Sequence, residues 1–456
     1  MTDLSDPTRM MARFVLTTGY DDLDADLVRH VKRSIVDSIG VALGGLDHPA
    51  SQMLLRHVRE LGGTPQATVW GATDRLTVPQ AALVNGYLVH VLDYDDTYLQ
   101  PDILLHANAP LLPAALGVAE WRRRSGRDLM AAFAVGYELE ARLTLALGRD
   151  ERRSWPTTTV CGIVAATAAA AKLLGLDETQ LCHALGIAGA QASGSSEVFG
   201  SDAKALQPGY AAQKGVDAAL LAARGFTSTE RMFEDRRGCF FRLYSESPNI
   251  GALERLGERW ELRLAAFKAF ACGIVAQPFM DGVIQLRNKY AITPESVEAI
   301  EARVNPYTTV PMGNLEPRTG LEGKFSVWHA AAVVLVDGTA GKLQFTDSRV
   351  NDPVVLSVGR RVKVETDPTV MPHEAHVTIR LTDGRKYDLH VEHGKGTRLN
   401  PLTDDDLREK FTALAEPVVG SEQASRALEL IERLDVLEDA GDLARATVPE
   451  LEPAIR

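Results

Sequence analysis

Residues 78–120, VPQAALVNGYLVHVLDYDDTYLQPDILLHANAPLLPAALGVAE, contain an apolar helix-like run, an acidic cluster and a second apolar run rich in alanine. At helical spacing, Gly86, His90, Asp93 and Thr97 fall at i, i+4, i+7 and i+11. This spacing predicts that an imidazole, a carboxylate and a hydroxyl share one helix face. Because packing alone does not need those groups, the stretch predicts a functional site.

The acidic cluster allows four interpretations. A solvated helix end is the simplest, but the helix dipole favours acidic residues at the opposite end. Asp93, Asp95 and Thr97 spell the D-x-D-x-T pattern of phosphoryl transfer, which needs a buried strand before it, whereas the preceding run has a helical period. The third interpretation is a divalent metal held by oxygen ligands and His106. The fourth is proton transfer on a small anionic substrate.

Composition restricts the class of protein. The 456 residues include 45% hydrophobic and 24% charged residues, as in an ordinary globular protein, and the length predicts two domains. A net charge of −12 argues against a nucleic-acid partner, because binding to phosphates requires a basic surface. An acidic protein that binds anions must gather its cations locally, so lysines among apolar residues are informative.

The cysteines and the N-terminal residues give no sign of secretion or of a metal centre. No C-x-x-C pair occurs, which argues against a disulfide framework, a zinc site and an iron–sulfur cluster. The N-terminal residues lack the charged-then-apolar pattern of a signal peptide, and we expect the apolar runs to break before 18 residues. We therefore expect a cytoplasmic protein with no membrane partner. The cysteines are Cys161, Cys182, Cys239 and Cys272.

The predicted fold is mainly α, with a large all-helical domain and a smaller α+β lid domain. Residues 1–265 together with 398–456 form the helical domain, and residues 266–397 form the lid, with strands in VEAIEARV, HEAHVTIRL and KYDLHVEH. A cleft between the two would be a natural site. Helices are predicted at 27–45, 50–62, 78–93, 109–124, 127–147, 161–175, 178–191, 207–224, 279–289 and 325–337, with a helical tail from 404.

Two lysines and two histidines are candidates for chemistry. Lys204 precedes a Pro-Gly pair that is predicted to start a helix, and it would bind an anion at that helix N-terminus. The alternative is that Lys204 is an ordinary surface lysine. Lys268 is flanked by apolar residues, and burial would lower its pKa toward useful acid–base chemistry. His90 and His329 lie in apolar helices, where a histidine is otherwise a satisfied core residue.

Five segments resemble blocks of the MmgE/PrpD family, which includes 2-methylcitrate dehydratase, cis-aconitate decarboxylase and iminodisuccinate epimerase. The resemblance implies a large helical domain with an α+β lid, usually a homodimer, and no metal or other cofactor. Carried over by position, it implies a substrate site formed by Asp93, Thr97, His106, Lys204 and Lys268. The segments are SIVDSIGVALGG, NGYLVHVLDYDDT followed by HANAPLLPAALGVAE, PGYAAQKGVDAALLAARGFT, KFSVWHAAAVVLVDG and GKGTRLNPLTDDDLREKF.

Three departures from the family pattern bear on the reaction. Trp155 and Pro156 occupy a region where many relatives have histidine, and Gln277 lies where relatives often have histidine. His329 takes the place of a tyrosine, which changes the proton donor's pKa from about 10 to about 6.5. These departures weaken decarboxylation and 2-methylcitrate dehydration and favour another assignment of proton transfer, including epimerisation.

The resulting prediction is a metal-independent lyase or isomerase of small di- or tricarboxylates. Lys204 and Lys268 would hold the substrate while His106, oriented by Asp93, removes the proton α to a carboxylate. Loss of a hydroxyl would make the enzyme a dehydratase, whereas reprotonation from the opposite face by His329 would make it an epimerase. The alternatives are a cis-aconitate-type decarboxylase and a non-catalytic carboxylate-binding protein. The remaining predicted substrate contacts are His90, Thr97 and Gln277.

Overall fold

The structure is a computed structural model, and it describes residues 5–100, 103–148 and 154–450. Helices predominate, which confirms the predicted mainly α fold. The first eleven helices are α1 Pro7–Thr17, α2 Ala25–Gly45, α3 Pro49–Leu61, α4 Val78–Val91, α5 Asn108–Arg122, α6 Gly126–Leu147, α7 Thr157–Val160, α8 Gly162–Leu174, α9 Glu178–Gln191, α10 Asp202–Ala223 and α11 Phe240–Tyr244. The others are α12 Gln277–Tyr290, α13 Pro306–Thr309, α14 Gly320–Gly323, α15 Val327–Asp337, α16 Asp347–Val350, α17 Pro353–Gly359, α18 Asp404–Val419, α19 Ser421–Glu432 and α20 Gly441–Ala446.

In the described residues the strands form three small sheets. The strands are β1 Ala67–Thr68, β2 Arg75–Leu76, β3 Asp96–Gln100, β4 Ile103–Leu105, β5 Ala265–Phe267, β6 Val297–Val304, β7 Val362–Thr366, β8 Ala375–Leu381 and β9 Lys386–Val391. The largest sheet has the order β7-β6-β8-β9, with β6 and β7 parallel and the other pairs antiparallel, and it contains the three predicted strands. A second sheet, β4-β3-β5, joins segments that are far apart in sequence and was not predicted.

Apolar side chains bury themselves in two main clusters. The larger combines residues from α1 to β5 with α18–α20, and the smaller is formed within residues 270–381. The C-terminal helices therefore pack onto the N-terminal ones, while the four-stranded sheet has its own core. The exact boundaries predicted for the two domains, 265/266 and 397/398, stay a prediction.

Glycines allow the helices that carry the site to approach closely. A Cβ on Gly86 of α4 would lie 2.9 Å from Cα of Gly209 in α10, so only glycine permits this crossing. Gly44 and Gly45 lie within the last turn of α2, and a Cβ on Gly45 would lie 2.8 Å from the Leu88 carbonyl oxygen. These glycines bring α2, α4 and α10 together next to the acidic cluster.

One segment, Thr157–Leu174, is long and apolar enough to cross a membrane by length and composition, contrary to our expectation of shorter runs. It spans α7 and α8, and 89% of it is buried inside the protein. That degree of burial is typical of a core helix packed against other helices.

Candidate active site

The acidic cluster lies in a turn where α4 ends, not on a continuous helix. α4 ends at Val91, and Asp93 has a left-handed backbone with φ of 50°. Thr97 lies in β3, so the prediction that it shares a helix face with His90 and Asp93 is wrong. Because Asp93 follows a helix and not a buried strand, the structural setting required for D-x-D-x-T phosphoryl transfer is missing.

Asp93 is held by two lysines from distant parts of the chain. Its Oδ1 accepts hydrogen bonds from Lys204 Nζ at 2.7 Å and from Lys268 Nζ at 3.0 Å. Lys204 lies in the first turn of α10, which begins before the Pro-Gly pair that was predicted to start it. Burial raises the pKa of the Asp93 carboxyl, but the charges of Lys204 and Lys268 outweigh it and hold that pKa well below its usual range. Asp93 is therefore an ionised anchor that keeps two ammonium groups together.

His90 is paired with a carboxylate that sequence analysis did not select. Its Nδ1 lies 2.7 Å from Asp95 Oδ2, and both side chains are buried. Because a carboxylate only accepts, His90 donates through Nδ1, and Asp95 stabilises the imidazolium whenever His90 takes up a proton. Burial lowers the pKa of His90, and the charge of Asp95 opposes that shift.

His106 is oriented by the main chain. Its Nδ1 lies 2.8 Å from the Asp96 carbonyl oxygen and 3.4 Å from Thr97 Oγ1, and its backbone N–H donates to Thr158 Oγ1 at 3.0 Å. The carbonyl contact fixes the proton on Nδ1, so Nε2 of the neutral ring carries a free lone pair. Burial, reinforced by the charge of Lys268, lowers the pKa of His106 to about 3. The prediction that Asp93 orients His106 is therefore corrected: the Asp96 carbonyl oxygen and Thr97 Oγ1 orient the ring.

The two imidazoles and Lys204 share a cavity of about 650 Å³ between the two apolar clusters. The ring centroids of His90 and His106 are 5.1 Å apart. Ile274 and Val275 of the second cluster supply an apolar wall of this cavity. Trp155 and Pro156, which depart from the family pattern, lie along this cavity together with Leu104, Thr157, Thr158, Thr159, Ser196, Phe199, Gln207, Pro208, Gly273, Ile274, Val275, Tyr307, Val310, Pro311 and Phe325.

Four predicted site residues do not line the cavity. Lys268 is fully buried behind Asp93, and Thr97 lies behind His106. Gln277 is corrected to a structural role, because its amide accepts from Ala269 N and donates to the Phe270 carbonyl oxygen. His329 is likewise not brought to the cavity: its Nε2 contacts the Gln344 carbonyl oxygen at 3.0 Å. Its predicted role as an opposite-face acid finds no support in this position.

Metal binding receives no support from the arrangement of donor groups. Within residues 5–100, 103–148 and 154–450, no three His, Cys, Asp or Glu side chains converge as the ligands of a metal ion would. The prediction that the reaction needs no cofactor stays a prediction.

Comparison with known proteins extends over nearly the whole chain. Residues 9–252 match the family model of the MmgE/PrpD N-terminal domain, and residues 270–436 match that of the MmgE/PrpD C-terminal domain. Cis-aconitate decarboxylase of Mus musculus is 28% identical, with 97% of this chain and 93% of that protein aligned. Cis-aconitate decarboxylase of Homo sapiens is 27% identical, with 91% of this chain and 89% of that protein aligned. Cis-aconitate decarboxylase of Aspergillus terreus is 26% identical, with 96% of this chain and 94% of that protein aligned.

Proposed function

Since this chain belongs to the MmgE/PrpD family, we propose that it is a lyase of small tricarboxylates whose reaction is decarboxylation of the cis-aconitate type. The observation that carries the proposal is one cavity with a basic end and an apolar wall. Lys204, His90 and His106 form the basic end, and Ile274 and Val275 belong to the apolar wall. The names of the aligned relatives support this reaction over those favoured by the sequence alone.

The basic end suits a substrate with several carboxylates. Lys204 would bind a carboxylate that stays on the product, because its ammonium is held at the cavity by Asp93. A bound trianion would raise the pKa of both buried imidazoles, so that the pair takes up one proton. This proton would be the one delivered to carbon.

The apolar wall suits the loss of carbon dioxide. A carboxylate turned toward Ile274, Val275 and Phe325 loses hydration, which favours its conversion to a neutral molecule. The carbon–carbon bond to that carboxylate breaks, and its electron pair moves onto the conjugated skeleton of the substrate. The imidazole pair then protonates a carbon of that skeleton, carbon dioxide leaves, and water returns a proton to the imidazoles.

The positions of the imidazoles favour a lyase over an epimerase. His90 and His106 are neighbours and would serve one face of a substrate. Epimerisation also needs a donor on the opposite face, the role predicted for His329, whose ring is bonded to the Gln344 carbonyl oxygen instead. We therefore propose lyase chemistry ahead of isomerase chemistry.

Dehydration of a hydroxylated tricarboxylate is the second candidate. The observation that favours it is the different setting of the two imidazoles, since His106 has a free Nε2 lone pair while His90 is backed by Asp95. His106 would take the α-proton and His90 would protonate the leaving hydroxyl from the same side. This route uses the same cavity but a substrate such as citrate or 2-methylcitrate.

Proton NMR in D2O tests these candidates together, with cis-aconitate, citrate, 2-methylcitrate and iminodisuccinate as substrates. We expect loss of carbon dioxide from cis-aconitate with deuterium in the product, and loss of that activity in Lys204→Met. Lys214→Met on the same helix, outside the cavity, is the control and is expected to stay active. Loss of water from a citrate would replace the first candidate by the second. Deuterium exchange without loss of either fragment would refute the lyase, and silence with all acids would favour a carboxylate-binding protein.

A further inference from the structure

Three consecutive carbonyl groups of the acidic turn accept hydrogen bonds from three different buried lysines. The Leu92, Asp93 and Tyr94 carbonyl oxygens accept from Lys324 Nζ at 2.6 Å, Lys268 Nζ at 3.0 Å and Lys410 Nζ at 2.7 Å, respectively. We call these contacts the lysine clamp.

The turn needs such partners because of where it lies. α4 has ended, so these carbonyl groups have no partners from a continuing helix. Asp93 is a non-glycine residue in the left-handed region, which is uncommon and persists when the surroundings enforce it. A buried carbonyl without a donor is costly, and an ammonium group supplies up to three donors.

The outer two lysines of the clamp also hold the segment that carries Lys268. Lys324 Nζ donates to the Ala271 carbonyl oxygen at 3.0 Å, and Lys410 Nζ donates to the Lys268 carbonyl oxygen at 3.0 Å. Each therefore bridges the acidic turn and the segment after β5. Lys410 is fixed further by Asp37 of α2, whose Oδ1 lies 2.6 Å from its Nζ.

The two bridging lysines come from different parts of the fold. Lys324 lies between α14 and α15, beside the smaller apolar cluster, whereas Lys410 lies in α18, which packs on α2. Neither lines the cavity of about 650 Å³. Their contacts instead determine where Asp93 points, and Asp93 in turn holds Lys204 at the cavity.

We propose that Lys324 and Lys410 are positioning residues for catalysis, which act by fixing the acidic turn, residues 92–94, relative to Lys204 and Lys268. This inference deepens the proposed function and rests on it. Displacement of a substrate-binding group by about 1 Å can cost about 100-fold in rate. The clamp thus links α18 and the segment between α14 and α15 to the acidic turn beside the cavity.

Steady-state kinetics of Lys324→Met and Lys410→Met test the proposal, with Lys172→Met as the matched control. Lys172 is a partly buried lysine of α8 whose Nζ donates to the Val15 carbonyl oxygen at 2.8 Å, remote from the cavity lining. We expect kcat to fall about 100-fold in both clamp variants with KM changed less than about threefold. The control is expected to keep kcat within about twofold. Clamp variants that behave like the control would overturn the proposal.

Hydrogen exchange followed by mass spectrometry gives a readout independent of turnover. The peptide that contains residues 91–98 is expected to exchange faster in both clamp variants than in wild type, and at the wild-type rate in Lys172→Met. Unchanged exchange in the clamp variants would refute the clamp itself. If wild type transforms none of the acids, the proposed function fails while the exchange experiment still decides the clamp. Should the methionine variants not fold, Lys324→Gln and Lys410→Gln keep N–H donors but are uncharged and one atom shorter, so that they hold the two carbonyl groups less firmly. A kcat about tenfold lower is then expected, and wild-type kcat in both would refute positioning.

Discussion

Replacement of Asp93 by asparagine tests the buried charge cluster. The asparagine would keep the size of the side chain but remove the negative charge that lies within 3.0 Å of both Lys204 Nζ and Lys268 Nζ. Lys268 is fully buried, and its remaining carboxylate neighbour would be Asp95, whose Oδ1 lies 3.8 Å from its Nζ. Removal of one partner of a buried ion pair costs about 3–5 kcal/mol, so we expect a loss of that size in the free energy of unfolding.

The size of this loss should depend on pH in a direction set by Lys268. The sequence predicted a lowered pKa for Lys268, and that prediction is wrong. Burial does lower this pKa, but the charge of Asp93 outweighs burial, and the pKa in the folded protein lies above its usual value. Without Asp93, burial dominates and the folded pKa falls below the unfolded value of about 10.4. The variant then binds fewer protons when folded, so its stability rises with pH. We expect a smaller deficit relative to wild type at about pH 9.5 than at about pH 6.

Urea unfolding followed by circular dichroism at both pH values measures the deficit, with Asp47→Asn as the control. Asp47 lies 2.6 Å from Lys342 Nζ, but its side chain is 67% exposed, so the same substitution is expected to cost less than about 1 kcal/mol. Equal stability of Asp93→Asn and wild type, or a deficit that does not change with pH, would refute this description of the charge cluster.

Three further predictions concern proton uptake, the imidazole–carboxylate pair and the helix crossing. Burial lowers the pKa of His90 and brings that of His106 to about 3, so both imidazoles are neutral in the free protein near pH 7. Binding of tricarballylate at this pH should therefore take up about one proton, which calorimetry in buffers of different ionisation heat measures. Binding without proton uptake would contradict this prediction. Asp95→Asn removes the carboxylate 2.7 Å from His90 and should lower kcat about 100-fold, whereas an unchanged kcat would remove His90 from the mechanism. Gly209→Ala places a Cβ 2.6 Å from a main-chain oxygen of α4 and should lower the free energy of unfolding by about 1–3 kcal/mol. In the control Gly359→Ala the new Cβ has no neighbour closer than 3.8 Å, and the loss should be less than about 0.5 kcal/mol.

Local sequence patterns predicted the parts of the fold that depend on neighbours in the chain. Apolar periodicity located most of the longer helices, although not α1 or α17, and alternation located β6, β8 and β9. The β4-β3-β5 sheet was not predicted, because β5 pairs with β3 across more than 160 residues and no local signal specifies that pairing. Thr97 was misplaced for the same reason.

The sequence predicted many of the residues of the candidate site, but not how their side chains are arranged. Lys204 was selected as a cation at a helix start and Lys268 as a lysine among apolar residues, and the structure brings both to Asp93. Asp95 was not selected, although it follows His90 by five residues just past a helix end. Periodicity placed His329 correctly in a helix but could not give the direction of its ring, which is set by the Gln344 carbonyl oxygen. Lys324 and Lys410 were not selected, and the sequence offered one indication of their importance: each lies in a segment that resembles the family.

A crystal structure of the protein with tricarballylate, an inert tricarboxylate, would show whether the cavity of about 650 Å³ binds the substrate. We expect the ligand in this cavity, with one carboxylate on Lys204 Nζ and another within hydrogen-bond distance of His90 or His106. A ligand bound elsewhere, such as the groove between α2, α18 and α19 lined by Arg29, Arg33 and Arg408, would contradict it.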